Sequence, residues 1–133
     1  MMGHRFKFDA ENKILLVQPE GRLTDESLLE IYTGIAKYSV ATDAHAGIFD
    51  FSLVTEFAAT ADTIRNLARQ EPAMPDAVNR PRVLVAPATH VFGIARMFQL
   101  VGERKRPSLT VVRTLDEAFS ALGVQSPHFQ PLG

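Results

Sequence analysis

A mixed α/β architecture on a mostly parallel sheet follows from three features of the chain. Short apolar runs alternate with segments of helical period, proline or glycine closes most of those segments, and residues 4–19 read as two strands before any helix begins. A parallel sheet with an antiparallel addition from that opening pair accommodates this order.

The opening pair is a β-hairpin: His4 to Asp9 alternates in polarity, Glu11-Asn12 supplies the turn, and Lys13-Ile14-Leu15-Leu16-Val17-Gln18-Pro19 is the return strand. Gly21-Arg22-Leu23-Thr24 is expected to break that strand. Thr24 then suits a helix cap, with Asp25 and Glu26 at the positive helix start. Leu28, Ile31, Tyr32, Ile35 and Tyr38 recur at helical spacing, and Glu26, Glu30, Thr33 and Lys37 fall opposite, so this helix covers the sheet with one face. Ala46 to Phe51 is a short strand interrupted only by Asp50, and Thr60 to Glu71 is a second helix with Ile64, Leu67 and Ala68 inward. Pro72 ends it, because a residue before proline avoids helical geometry. A loop over 73–80 leads to the strand Pro81 to Ala86, which Pro87 closes. Thr89 is placed to cap a third helix running to about Gly102, Ser108 to Val112 is the next strand, and Thr114 to Leu122 is a last helix stopped by Gly123. The expected order is β-β-α-β-α-β-α-β-α. Residues 1–123 form one domain in this reading, and the proline-bearing, aperiodic stretch 124–133 is a loose C-terminal tail.

Composition narrows the function classes. The chain has 133 residues, enough for one sizeable core, and 46% hydrophobic against 22% charged residues is a globular balance. Fourteen basic and fifteen acidic side chains give a net charge of −1, so no global field favours nucleic acid. There are no cysteines, which removes disulfides, thiolate catalysis and cysteine-based metal sites and is compatible with a reducing compartment. The N-terminus alternates in polarity instead of running apolar like a secretory signal, and no later run is long enough for a bilayer, so a cytoplasmic protein without membrane insertion is expected. His4, His45, His90 and His128 show no metal-ligand spacing, and neither a Gly-x-Ser-x-Gly elbow nor a phosphate-cradling glycine loop occurs, so no catalytic residue, metal or cofactor is assigned.

Three segments carry a family resemblance. Gly21-Arg22-Leu23-Thr24 is similar to a Gly-Glu-Leu-Asp turn, Asp50-Phe51-Ser52-Leu53-Val54 to a strand ending in Asp-Leu-Ser, and Leu109 to Phe119, with its Asp116-Glu117-Ala118, to a closing strand and helix. In this order they resemble the STAS domain of sulfate transporters and anti-sigma-factor antagonists, from about Lys13 to Gly123. The Phe92-Gly93-Ile94-Ala95-Arg96-Met97-Phe98 segment is similar to one in a group of small bacterial STAS-like proteins. The resemblance implies a SpoIIAA-like/STAS-like sandwich with an N-terminal β-hairpin and about four helices, acting as a regulatory or protein-interaction domain. It also implies that the family's phospho-acceptor serine falls at Ala59 and the acidic position before it at Ala58. A methyl group cannot be phosphorylated; Ser52, Thr55 and Thr60 are the hydroxyls nearby, and Thr60 already suits a helix cap.

Two further candidate sites come from the residues. Between His90 and Glu103 the polar positions Gly93, Arg96, Gln99 and Glu103 make one narrow stripe, so the helix is apolar around most of its circumference. That surplus is read first as a homodimer or partner surface, with the Phe57-Ala58-Ala59-Thr60 turn and Phe92, Met97 and Phe98 as its residues; simple core and a pocket for an apolar small molecule or lipid are the alternatives. Arg65, His90 and Arg96 are an anion-binding candidate if they gather near helix starts, against the plainer reading of separately paired surface groups. Asp50 is read as an acceptor of loop amides in preference to a general base near His45.

Overall fold

The computed structural model describes residues 3–76 and 79–132; positions 77 and 78 of the expected 73–80 loop, and Gly133 of the expected tail, lie outside them. The described chain runs β1 (Gly3–Asp9), β2 (Ile14–Leu23), α1 (Asp25–Thr42), β3 (Ala46–Asp50), β4 (Val54–Phe57), α2 (Ala61–Arg69), β5 (Arg82–Val85), α3 (Thr89–Val101), β6 (Leu109–Val112), α4 (Leu115–Leu122) and β7 (Gln130–Pro131). The sheet order is β6-β5-β3-β2-β1-β7, with β4 also paired to β2. Strands β2, β3, β5 and β6 run parallel, and β1 is antiparallel to both β2 and β7. The α/β class and the opening hairpin are therefore present as the pattern requires.

Strand β2 is buried on both faces, as a central parallel strand must be. Leu15 and Val17 join the cluster under α1 and α2, while Ile14 and Leu16 join the one under α4. Helices α1 to α3 thus cover one face of the sheet, and α4 with the C-terminal segment covers the other. The expected strand break at Gly21 does not occur. Gly21 adopts φ 73°, a left-handed value that glycine enters without a Cβ penalty, and the register shifts there by a bulge instead of ending. Beyond the bulge, β2 continues to Leu23 and pairs with β4, an element that the period-2 reading passes over because Thr55 and Glu56 are both exposed.

Residues 129–132 are tied to the fold. Phe129 stacks on Phe119 with centroids 6.1 Å apart, β7 adds to β1, and the Leu132 amide donates to the Phe6 carbonyl at 2.8 Å. Asp9, fully buried, closes the clasp: its carboxylate accepts from the Glu11 and Asn12 amides, from Asn12 Nδ2 and, across the fold, from the His128 amide at 3.2 Å. Burial alone would raise this carboxyl, but the bonds from Asn12, His128 and Glu11 outweigh it and hold the pKa below the ordinary aspartate value. A depressed folded-state pKa gives stability that is complete above the unfolded value and is lost as the pH falls through the folded one. Acid unfolding of the wild type should therefore carry an Asp9 component below about pH 4. Asp9→Asn should remove that component in urea titrations at several pH values and cost about 1–3 kcal/mol at neutral pH. An unchanged acid limb would contradict the clasp.

Candidate functional site

Where β2 and β4 meet, the backbone builds a braced platform from residues 21–25 and 51–62. After Asp50 the chain bulges away from the sheet and returns: Val54 N–H donates to Phe51 O at 3.1 Å, Gly21 N–H to Leu53 O at 3.0 Å and Ala58 N–H to Leu23 O at 2.8 Å. Asp50 holds the base of the bulge. It is 2% exposed and accepts from Ser52 N–H at 2.9 Å, from the Ser52 hydroxyl and from Gln18 Nε2 at 2.9 Å, so its oxygens serve the loop. Leu53 stands out from this segment at 44% exposure, and Arg22 pairs with Glu56 across the strands at 3.0 Å.

The far end of the platform joins two helix starts. Thr24 caps α1 by accepting from Ser27 N–H, and Thr60 caps α2 by accepting from Thr63 N–H at 3.3 Å. Asp25 ties the two together: Thr60 N–H donates to its Oδ1 at 2.7 Å and the Thr60 hydroxyl to its Oδ2 at 3.1 Å. The Thr60 amide above all draws the Asp25 carboxyl below its ordinary pKa. Phe57 turns inward in a row with Phe51 and Phe49, at centroid spacings of 6.0 and 4.7 Å, and Ala59 packs its methyl on the same interior cluster. Of the turn residues, Thr60 is exposed, while Ala58 is half-buried.

Helix α3 begins at an Ala88 cap without a side-chain bond, so Thr89 is its first residue and not its cap. Phe92 lies half-buried beneath the Arg113 guanidinium at 4.3 Å, and Met97 and Phe98 pack against the cluster under α1 and α2. The outward apolar side chains of α3 are Leu100, 61% exposed, and Val101. Gln99 binds back to the Leu109 carbonyl at 2.8 Å and takes a bond from Arg96. Arg65 pairs with Asp62 within α2, and His90 is exposed in the first turn of α3. His45 lies 3.5 Å from Asp43, apart from Asp50's bonds.

Sequence reasoning missed Arg106. In the run Arg104-Lys105-Arg106, Lys105 pairs with Glu71 at the surface, but Arg106 turns inward and is 5% exposed. It donates to the carbonyls of Ala68, Leu67 and Gln70 at 2.8–3.3 Å, closing the end of α2, and stacks on Phe98 at 4.8 Å. Only the long-range fold selects which of the three cations goes inside. Among the described residues, no group of three or more histidine and carboxylate side chains converges as for a metal, and no helix is long and apolar enough to cross a membrane.

The fold is similar to that of a solved structure, the crystal structure of an anti-sigma factor antagonist from Mycobacterium paratuberculosis. The two superpose with a TM-score of 0.55 at 20% identity, over 92% of this chain and 95% of that one. The fold is STAS-like. The Bacillus cell fate determinant SpoIIAA in its phosphorylated form also aligns, at 17% identity and a TM-score of 0.49, over 82% of this chain and 90% of that one. No family model and no curated protein matches the sequence. In this STAS-like frame the platform is the junction at which β4 hands over to α2.

Thr60→Ala removes the cap of α2 and one of the two bonds to Asp25, so the unfolding free energy from urea titration should fall by about 1 kcal/mol. Thr60→Ser, which keeps the hydroxyl, should recover most of it; equal loss in both would show that the cap contributes nothing.

Proposed function

We propose that the chain is a non-catalytic regulatory domain of the cytoplasm that works by binding another protein through the 21–25/51–62 platform, and that it self-associates as a homodimer through the outer side of α3. The observation that carries the reading is the bracing of the platform: an exposed Leu53, an exposed Arg22–Glu56 pair and the exposed Thr60 are held by main-chain bonds to a buried strand. A preorganised surface loses little entropy on docking. Leu100 and Val101 supply the apolar exposure on α3.

The name of the mycobacterial neighbour, an anti-sigma factor antagonist, fits a protein partner. We further propose that binding here is not gated by phosphate at position 59, since Ala59 stands where the family resemblance puts the acceptor serine. The nearby hydroxyls of Ser52 and Thr60 are engaged by Asp50 and Asp25. Asp50 and His45 are assigned structural roles, which agrees with binding in place of turnover.

A photocrosslinking residue placed in the cell at Leu53, Leu100 or Ser120, the last on the exposed side of α4, tests the assignment. Leu53 should give a discrete adduct with a different protein, Leu100 an adduct of twice the chain mass, and Ser120 neither. No adduct at Leu53 above the Ser120 background would contradict the partner surface, and none of dimer mass at Leu100 would contradict the homodimer.

A further inference from the structure

Between the sheet and helices α1 to α3 lies a cavity of about 140 Å³. Its walls are almost wholly apolar, with Leu15 and Phe49 from the sheet, Leu67 from α2 and Phe98 from α3. An engineered cavity of about 150 Å³ with such walls stays dry and admits benzene, so the volume suits one small ring or a short branched chain. The polar side chains that reach this cavity are Tyr32, Arg82 and Arg106.

These three leave a defined chemical demand. The Tyr32 hydroxyl is buried with no hydrogen-bond acceptor among the described residues, and the group beside it, the Arg106 guanidinium, has only donors to offer. Arg106 donates to the carbonyls of Ala68, Leu67 and Gln70, and Arg82 donates to those of Arg80, Met74 and Pro75. On carbonyls each thus spends three of the five N–H donors of a guanidinium, and Arg106 has the Tyr32 oxygen beside it as a further acceptor, which leaves the Tyr32 O–H itself without one. Among the described residues neither has a carboxylate within ion-pair distance: Glu71, which acts on Arg106 from farther off, is bonded to Lys105, and Asp76, which acts on Arg82, accepts from Asn79. The two cations also repel. Burial first and the Arg106 charge second push Arg82 down to about 10, and burial lowers Arg106 as well. Carbonyl oxygens satisfy geometry here without cancelling charge, and an anion that accepted from Tyr32 and both guanidinium edges would do both.

We propose that this cavity is a binding site for a small carboxylic acid with an apolar body about the size of one benzene ring, its carboxylate on Tyr32, Arg106 and Arg82 and its body against Leu15, Phe49, Leu67 and Phe98. The planar fork of a guanidinium matches a carboxylate, and the apolar walls reject a free inorganic anion. The site is independent of the protein-binding platform, so either assignment can fail without the other.

The test is a titration of the full chain, followed by amide and methyl NMR shifts, with phenylacetate, its uncharged counterpart phenylacetamide, and inorganic phosphate. Phenylacetate should saturate, with shifts concentrated at Leu15, Leu67 and Phe98, and should bind at least about tenfold more tightly than phenylacetamide or phosphate, the difference expected of charge-assisted bonds. Tyr32→Phe keeps the packing and should weaken phenylacetate by about tenfold and phenylacetamide, whose carbonyl accepts only a neutral bond, by clearly less. Ala95→Leu, which fills the cavity from α3, should abolish binding in a chain that still gives a folded spectrum. The wild-type comparison needs no variant, so misfolding of either substitution leaves it decisive. Absence of saturable binding, equal binding of acid and amide, equal binding of phosphate alone, or indifference to Tyr32→Phe would each overturn the proposal.

Discussion

Strand β2 has to satisfy two different partners along one edge, and the rest of the molecule is arranged around that requirement. Its first half pairs with β3 from Ile14 to Val17, and its last residues pair with β4 from Gly21 to Leu23. The partner chain has to step out between the two, which it does over 51–53, and β2 has to shift register to match, which Gly21 permits with φ 73°. Glycine takes that φ without the Cβ penalty another residue type would carry, so the bulge forms here at little cost. The step throws Ser52 and Leu53 into solvent while Asp50, buried beneath them, anchors the loop. An exposed surface is thereby attached to a central strand of the fold.

The same topology packs the two faces of the sheet differently. Below, α4 seats the small Ala118 between Ile48, Val83 and Val85, and the C-terminal segment seals the edge through Phe129. Above, three helices start from different strand ends. Their meeting place is held partly by carbonyl bonds to Arg106 in place of interdigitated side chains. A guanidinium reaches farther than a methyl group but fills space less completely, and a cavity remains where α1, α2 and α3 converge. Burying a cation in that way costs free energy unless its donors are met, which is why the arginine and the carbonyls at the end of α2 form one unit.

Much of this was legible in the sequence, for identifiable reasons. The helices carry their own punctuation: Thr24 with Asp25 and Glu26 at one start, and Thr114 with Glu117 and then Gly123 around α4. The parallel strands are continuous apolar runs. Other features depended on contacts distant along the chain and left no local mark. Val54 to Phe57 is a strand only because β2 extends past Gly21 to meet it. The end of the chain is held by Phe119 and by Asp9, 119 positions before its partner His128. Met97 and Phe98 looked outward because an apolar helix does not reveal how much of its surface its own fold will cover. Arg106 looked like its basic neighbours because burial of a charge is decided by acceptors it meets in space. The turn at Phe57 to Thr60 was visible as a turn, but its brace, Asp25 to Thr60, joins two helix starts 35 residues apart.

The central claim is that the platform is as firmly held as the strand that carries it, and native-state hydrogen exchange at Gly21 and Ala58 reads this directly. Both amides donate to main-chain carbonyls across the β2–β4 junction. If the account is right, they exchange only through global unfolding, with protection matching that of Ile48 and Leu16 in the sheet centre. Exchange of both at low denaturant by local opening, with Ile48 and Leu16 still protected, would contradict it.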